Sequence, residues 1–149
     1  MATTKGKGAG GRLTRSETVQ VRLDPKLKYL AELAARLHRR TLSSYIEWAV
    51  QRAVAGERAS PYDAPKGFDY TIGQQSEQLW DVEEHLRFCK LARMFPHLLT
   101  HDEQMLWRLI EENEFFWSKK PHALLTDRVA AHWESLQEAV WSTEMREKL

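Results

Sequence analysis

Residues 18–25 read Thr-Val-Gln-Val-Arg-Leu-Asp-Pro, and this stretch decides how the first third of the chain is built. Thr18 to Leu23 alternates polar and apolar side chains, which is the period of a strand. Val19, Val21 and Leu23 fall on one face; Thr18, Gln20 and Arg22 fall on the other. Two β-branched valines favour strand over helix. No second strand is visible in this half, and a lone strand leaves its backbone N–H and C=O groups unpaired. The cheapest partner is the same strand from a second copy of the chain. Asp24-Pro25 then starts a helix. Asp24 can cap the orphan N–H groups, and Pro25 suits the first turn, where its missing N–H costs nothing.

Downstream, Leu27, Leu30, Ala31, Ala34 and Leu37 repeat at helical spacing. His38-Arg39-Arg40 lies where this helix should end, and cations favour that end of the dipole. Thr41 opens a second helix as its N-cap. Leu42, Tyr45, Ile46, Ala49, Val50 and Ala53 form its apolar face, and Gly56 stops it. Upstream, residues 1–15 are Gly- and Thr-rich, basic and without periodicity, which predicts a disordered arm. Its charges, Lys5, Lys7, Arg12 and Arg15, suit DNA phosphates or a minor groove.

The order of strand, Asp-Pro, helix, short turn and Thr-capped helix resembles the ribbon-helix-helix family, the fold of Arc-type and methionine-repressor-type regulators. The resemblance covers residues of about 17–54. Its residues are Thr18–Leu23, Asp24-Pro25, Leu30 and Ala34, and Thr41-Leu42-Ser43-Ser44-Tyr45-Ile46. One departure concerns the turn, where the family often carries Gly. Here His38, Arg39 or Arg40 must make the bend, and a non-Gly residue enters the left-handed region only at a cost. The resemblance implies a homodimer in which two strands form a ribbon for the major groove. Base readout then falls to Thr18, Gln20 and Arg22, whose side chains suit base edges: Arg favours guanine, Gln adenine. The dimer core would hold Val19, Val21, Leu23, Leu30, Ala34, Ile46 and Ala49. The start of the second helix would hold a phosphate through Thr41, Leu42, Ser43 and Ser44, with Arg39 and Arg40 beside it.

The second half differs in charge. Residues 1–60 hold 12 Lys/Arg against 5 Asp/Glu, a balance of +7; residues 61–149 hold 10 against 16, a balance of −6. Such asymmetry points to a basic nucleic-acid half joined to an acidic half with another task. The Pro- and Gly-bearing stretch around 59–68 reads as a linker. Beyond it three helices are expected: Ser76 to about Phe95, ending before Pro96; a capping-box start at Thr100-His101-Asp102-Glu103, running to about Lys119; and one from near Thr126 toward Met145. Trp80, Phe88, Phe95, Trp107, Phe115, Phe116, Trp117, Trp133 and Trp141 should mostly form a core, with some left as a protein-facing surface.

Other functions find little purchase. His85 and Cys89 are four apart and share a helix face, but two ligands leave a zinc tetrahedron incomplete, and no CxxC or HExxH exists. The Gly cluster at 6–11 follows no strand, so it is no phosphate loop. Glu111, Glu112 and Glu114 read as a solvated face. No metal, no cofactor and no enzymatic activity are therefore expected. No apolar run of about 18 residues and no secretory h-region is visible, and the single Cys89 suits a reducing compartment, so a cytoplasmic protein is expected. The expected organisation is mostly α: basic arm 1–15, ribbon-helix-helix domain 16–57, linker 58–72, and an acidic helical oligomerisation or partner domain 73–149. The reading is a homodimeric or higher-oligomeric transcriptional regulator, a repressor on double-stranded DNA. The alternatives are an antitoxin that masks a toxin with its C-terminal helices, and a plasmid or DNA-processing accessory factor.

Overall fold

A computed structural model of the chain describes residues 17–147 other than Tyr62, with side chains as far as Ser142. The expected basic arm, with Lys5, Lys7, Arg12 and Arg15, lies outside these residues. The described residues are mostly α-helical, with α1 (Pro25–Leu37), α2 (Leu42–Gly56), α3 (Ser76–Leu79), α4 (Glu84–Met94), α5 (His101–Glu111), α6 (Thr126–Ala131) and α7 (Trp133–Glu147). Two single 3-10 turns, Pro96–Leu98 and Glu114–Phe116, stand between them. Among the described residues no helix is long and apolar enough to cross a membrane. The chain divides into two units, Met1–Gln51 and Arg52–Leu149, and the division falls inside α2.

In the first unit the helix-start signals act as read. The Asp24 carboxylate accepts from Lys26 N (3.0 Å) and Leu27 N (3.2 Å), and Pro25 is the first helical residue. The Thr41 hydroxyl accepts from Ser44 N at 3.2 Å and caps α2. Residues 18–23, expected as a strand, make no ladder within one chain and carry no regular structure.

The second unit holds its own core. Phe88, Cys89 and Ala92 of α4 meet Leu106 and Ile110 of α5, Val129 of α6, and Leu136 and Val140 of α7, closed by Leu99 and Phe116. Ile110 and Val129 are fully buried. The capping box at Thr100 forms as read: Glu103 N donates to its hydroxyl (3.3 Å), and Thr100 N donates back to the Glu103 carboxylate (2.8 Å).

Each of the three expected helices is shorter or broken. The first splits into α3 and α4 because Asp81 diverts the backbone: its carboxylate accepts from Glu83 N at 3.1 Å, a local bond that competes with the helical ladder. Arg87 and Lys90 then satisfy the freed carbonyls of Trp80, Asp81 and Val82. The second stops at Glu111, not near Lys119, and Asn113 recaps a 3-10 turn by accepting from Phe115 N. The third breaks between α6 and α7 at His132, whose ring bonds the Arg128 carbonyl. The stretch read as a linker, 58–72, folds back on itself. Arg58 bridges Thr71 in antiparallel fashion, Ala59 N donates to Tyr70 O (2.8 Å), and Ile72 N donates to Glu57 O (2.8 Å). Ala59 and Ser60 are buried, and the His97 ring bonds the Ala59 carbonyl at 2.7 Å.

Candidate nucleic-acid interface

The turn between α1 and α2 is the most specific local geometry in the first unit. Arg39 has φ +52°, the left-handed region that Gly occupies most cheaply. Around it, Arg40 N donates to Ala35 O (2.9 Å) and Arg39 N to Arg36 O (3.0 Å). This is the six-to-one and five-to-two pairing of a Schellman motif, which satisfies the last carbonyls of α1. Arg39 is thus the residue, among the three expected, that makes the bend. The motif leaves Arg39 and Arg40 exposed beside the start of α2.

Thr41 and Ser43 are exposed there; Leu42 and Ser44 are partly buried. Because Thr41 caps Ser44 N, the N–H groups of Leu42 and Ser43 lack a helical partner by position alone. Arg40 lies against this end, with its guanidinium donating to the Ser44 hydroxyl at 3.3 Å. An aromatic group that the sequence reading did not assemble stands behind it. The His38 ring stacks on Tyr45 (5.8 Å, 25°) and lies 4.8 Å from Trp48, and the Arg40 guanidinium sits 5.6 Å over Trp48. The spacing of 38, 45 and 48 was visible, but the left-handed turn brings His38 back onto α2, and periodicity along one helix does not report that.

Thr18, Gln20 and Arg22 are exposed. On the other face Val19 is 80% and Val21 68% exposed in a single chain, and Leu23 is partly buried. Leu30 and Ile46 are also exposed, while Ala34 and Ala49 are partly buried. Among the described residues of the first unit, Ala35 alone is buried. One copy of this unit therefore buries almost no apolar side chain. A small unit that buries so little in one copy is marginal alone, and disulfides, metals or oligomerisation commonly stabilise such units.

In the second unit, His85 and Cys89 both lie on α4. His85 lies 6.2 Å from the Trp133 ring, and no group of three or more His, Cys, Asp or Glu among the described residues is placed to hold a metal. Burial pushes the Cys89 thiol up to about 11, so it stays protonated at neutral pH. Hydrogen bonding to Lys90, 2.8 Å away, holds the Asp81 carboxyl below its ordinary value. Of the expected aromatic core, Phe88, Phe95 and Phe116 are buried, and Trp107, Trp117 and Trp133 pack against the core. Trp80, Phe115 and Trp141 are exposed. The chain matches no protein-family model, no curated protein and no solved structure.

Proposed function

We propose that the chain is a ribbon-helix-helix regulator that binds double-stranded DNA as a homodimer and represses from an operator. One observation carries the reading: the apolar face of 18–23, Val19 and Val21, lies open in a chain segment without a ladder, directly ahead of a capped helix pair. Pairing that segment with its copy brings four valines onto one face, where the helices can cover them, and pairs the facing backbone groups of both strands. Thr18, Gln20 and Arg22 then face outward from both strands, in a ribbon of major-groove width. Arg39, Arg40 and the free N–H groups of α2 supply phosphate contacts. The acidic second unit is repelled by the DNA backbone, and its exposed Trp80 and Trp141 suit a protein partner. A partner-masking antitoxin is the second reading that these two side chains favour.

The test is selection of bound fragments from random duplex DNA, followed by affinity measurement on the selected site. Arg22→Ala should lose roughly 1–3 kcal/mol on that site and flatten preference at one base position. Lys5→Ala and Lys7→Ala should weaken selected and random DNA alike and lower the salt slope. Failure to enrich any sequence would remove the specific-regulator reading.

A further inference from the structure

Leu86, Cys89, Lys90, Arg93 and Met94 recur along α4 at the spacing of one helical face. With Leu124 and Thr126, at the start of α6, they line a cleft of about 380 Å³. Leu86, Cys89, Met94 and Leu124 make its surface largely apolar. Cys89 is buried, while the other three are only partly so, and the cleft is open to solvent as it stands. An apolar cleft with a few polar groups is the ordinary form of a small-molecule site.

Its charge departs from that of the surrounding unit. Residues 61–149 hold 16 Asp/Glu against 10 Lys/Arg. Three other clefts of the unit each bear two glutamates: Glu111 and Glu114, Glu84 and Glu103, or Glu83 and Glu134. No Asp or Glu lines this one, whose charged groups are Lys90 and Arg93. Lys90 is already engaged, paired with Asp81 (2.8 Å) and donating to Trp80 O (3.0 Å). Arg93 is exposed and has no hydrogen bond or ion pair among the described residues. Burial raises the Cys89 thiol, and the Arg93 charge opposes that rise, so the guanidinium lies within electrostatic reach of the cleft floor. Across the cleft the Thr126 hydroxyl likewise has no hydrogen-bond partner among the described residues.

We propose that this cleft binds a small carboxylate with a compact apolar body, its charged head held by Arg93 and the Thr126 hydroxyl and its body laid against Leu86, Met94 and Leu124. A guanidinium fork matches one carboxylate in shape and charge. A cation would meet Arg93 and find no acid on the lining. Inorganic phosphate would leave the apolar surface unused, and with Lys90 engaged it would find too few donors. The site stands apart from the DNA reading and survives its failure.

Cyclohexanecarboxylate and cyclohexanecarboxamide test it on the full chain at neutral pH. They share size and ring, and only the first carries a charge. Binding is followed by the Met94 methyl signal of protein labelled with ¹³C-methyl methionine, assigned by Met94→Leu. The carboxylate should move that signal and bind roughly fivefold more tightly than the amide at low salt, the scale of one solvent-exposed charge-assisted contact. Added salt should narrow the difference. Arg93 is exposed, so Arg93→Gln leaves the core intact; there the preference should vanish while the amide binds as before. Arg93→Lys should restore part of the preference. Leu124→Trp, which fills the cleft, should abolish binding of both probes. A Met94 signal unmoved at saturating carboxylate, equal affinity for the two probes, or a preference that survives Arg93→Gln would overturn the proposal. So would inorganic phosphate displacing the carboxylate at equal concentration.

Discussion

Val21→Asp separates the intertwined dimer from a chain that folds singly. Val21 is 68% exposed in one copy. Complete burial of a valine side chain is worth about 1.5–3 kcal/mol, so pairing two copies gains about 2–4 kcal/mol from this position alone. Aspartate forfeits that gain. It also places two carboxylates close to the two-fold axis without partners, which adds several kcal/mol if they remain charged. The combined loss of about 5 kcal/mol or more raises the dimer dissociation constant by over three decades. In a chain that folds singly the same side chain is a surface residue, and the change stays within about 0.5 kcal/mol. Sedimentation velocity across a hundredfold range of concentration, with urea melts at both ends, reads the difference. Gln20→Asp is the control, because it lies on the opposite face of the segment. It should keep the dimer and lose DNA. A Val21→Asp protein that remains dimeric with an unchanged melt would refute the reasoning.

The turn and the core give two further tests. Arg39→Gly removes a left-handed cost of about 1–2 kcal/mol and adds an unfolded-state entropy cost of about 0.5–1 kcal/mol. The urea midpoint at fixed chain concentration should therefore rise, by roughly 0.5–1 kcal/mol per chain, even as the lost cation weakens DNA binding; a lower midpoint would mean that Arg39 does more for the fold than make the bend. Cys89, with its thiol raised from 9.0 to about 11, should resist disulfide reagents at pH 8 in the folded state and react at once in urea. The sign of its pH dependence follows from that shift. The unfolded thiol ionises first, so the stabilisation is complete below about pH 9 and falls away toward pH 11, by roughly 1–3 kcal/mol. Flat stability across that window would contradict the burial of Cys89.

The two helices of the first unit were legible because their signals are local, whereas the strand expected over 18–23 does not form within one chain. Asp24 before Pro25 and Thr41 before a helical apolar face are decided within four residues, and the caps form where the sequence puts them. The Thr100–Glu103 capping box is of the same kind. The second unit was less legible because its helix breaks come from competition that a hydrophobic pattern does not encode. Trp80 to Glu84 carries no Gly or Pro. The helix stops there because the Asp81 carboxylate accepts from a backbone N–H and two cations farther along α4 donate to the exposed carbonyls. At His132 the apolar pattern runs on from Val129 through Trp133 to Leu136, and the ring bond to Arg128 O divides the helix. Phe88 and Trp133 were expected in the core, but the sequence does not show that they line one cleft with Leu79 and Leu106, because these side chains meet only after four helices have packed.

The proposed interface obeys a different rule from the core. In the second unit the apolar residues flagged by spacing are largely inside, since α4, α5, α6 and α7 supply one another with partners. In the first unit the same kind of spacing yields Val19, Val21, Leu30 and Ile46 on the outside. The pattern there is written for a surface that one chain does not possess. On the proposed reading, folding of the first unit and assembly of the DNA-reading ribbon are then a single event that depends on concentration. The second unit folds without it. Dilution should therefore melt the first unit ahead of the second, and operator DNA, which binds only the paired form, should close the gap between the two transitions. Hydrogen exchange read separately on α1 and α5 distinguishes them. Protection of α1 that ignores both dilution and DNA would leave the open valines without an explanation.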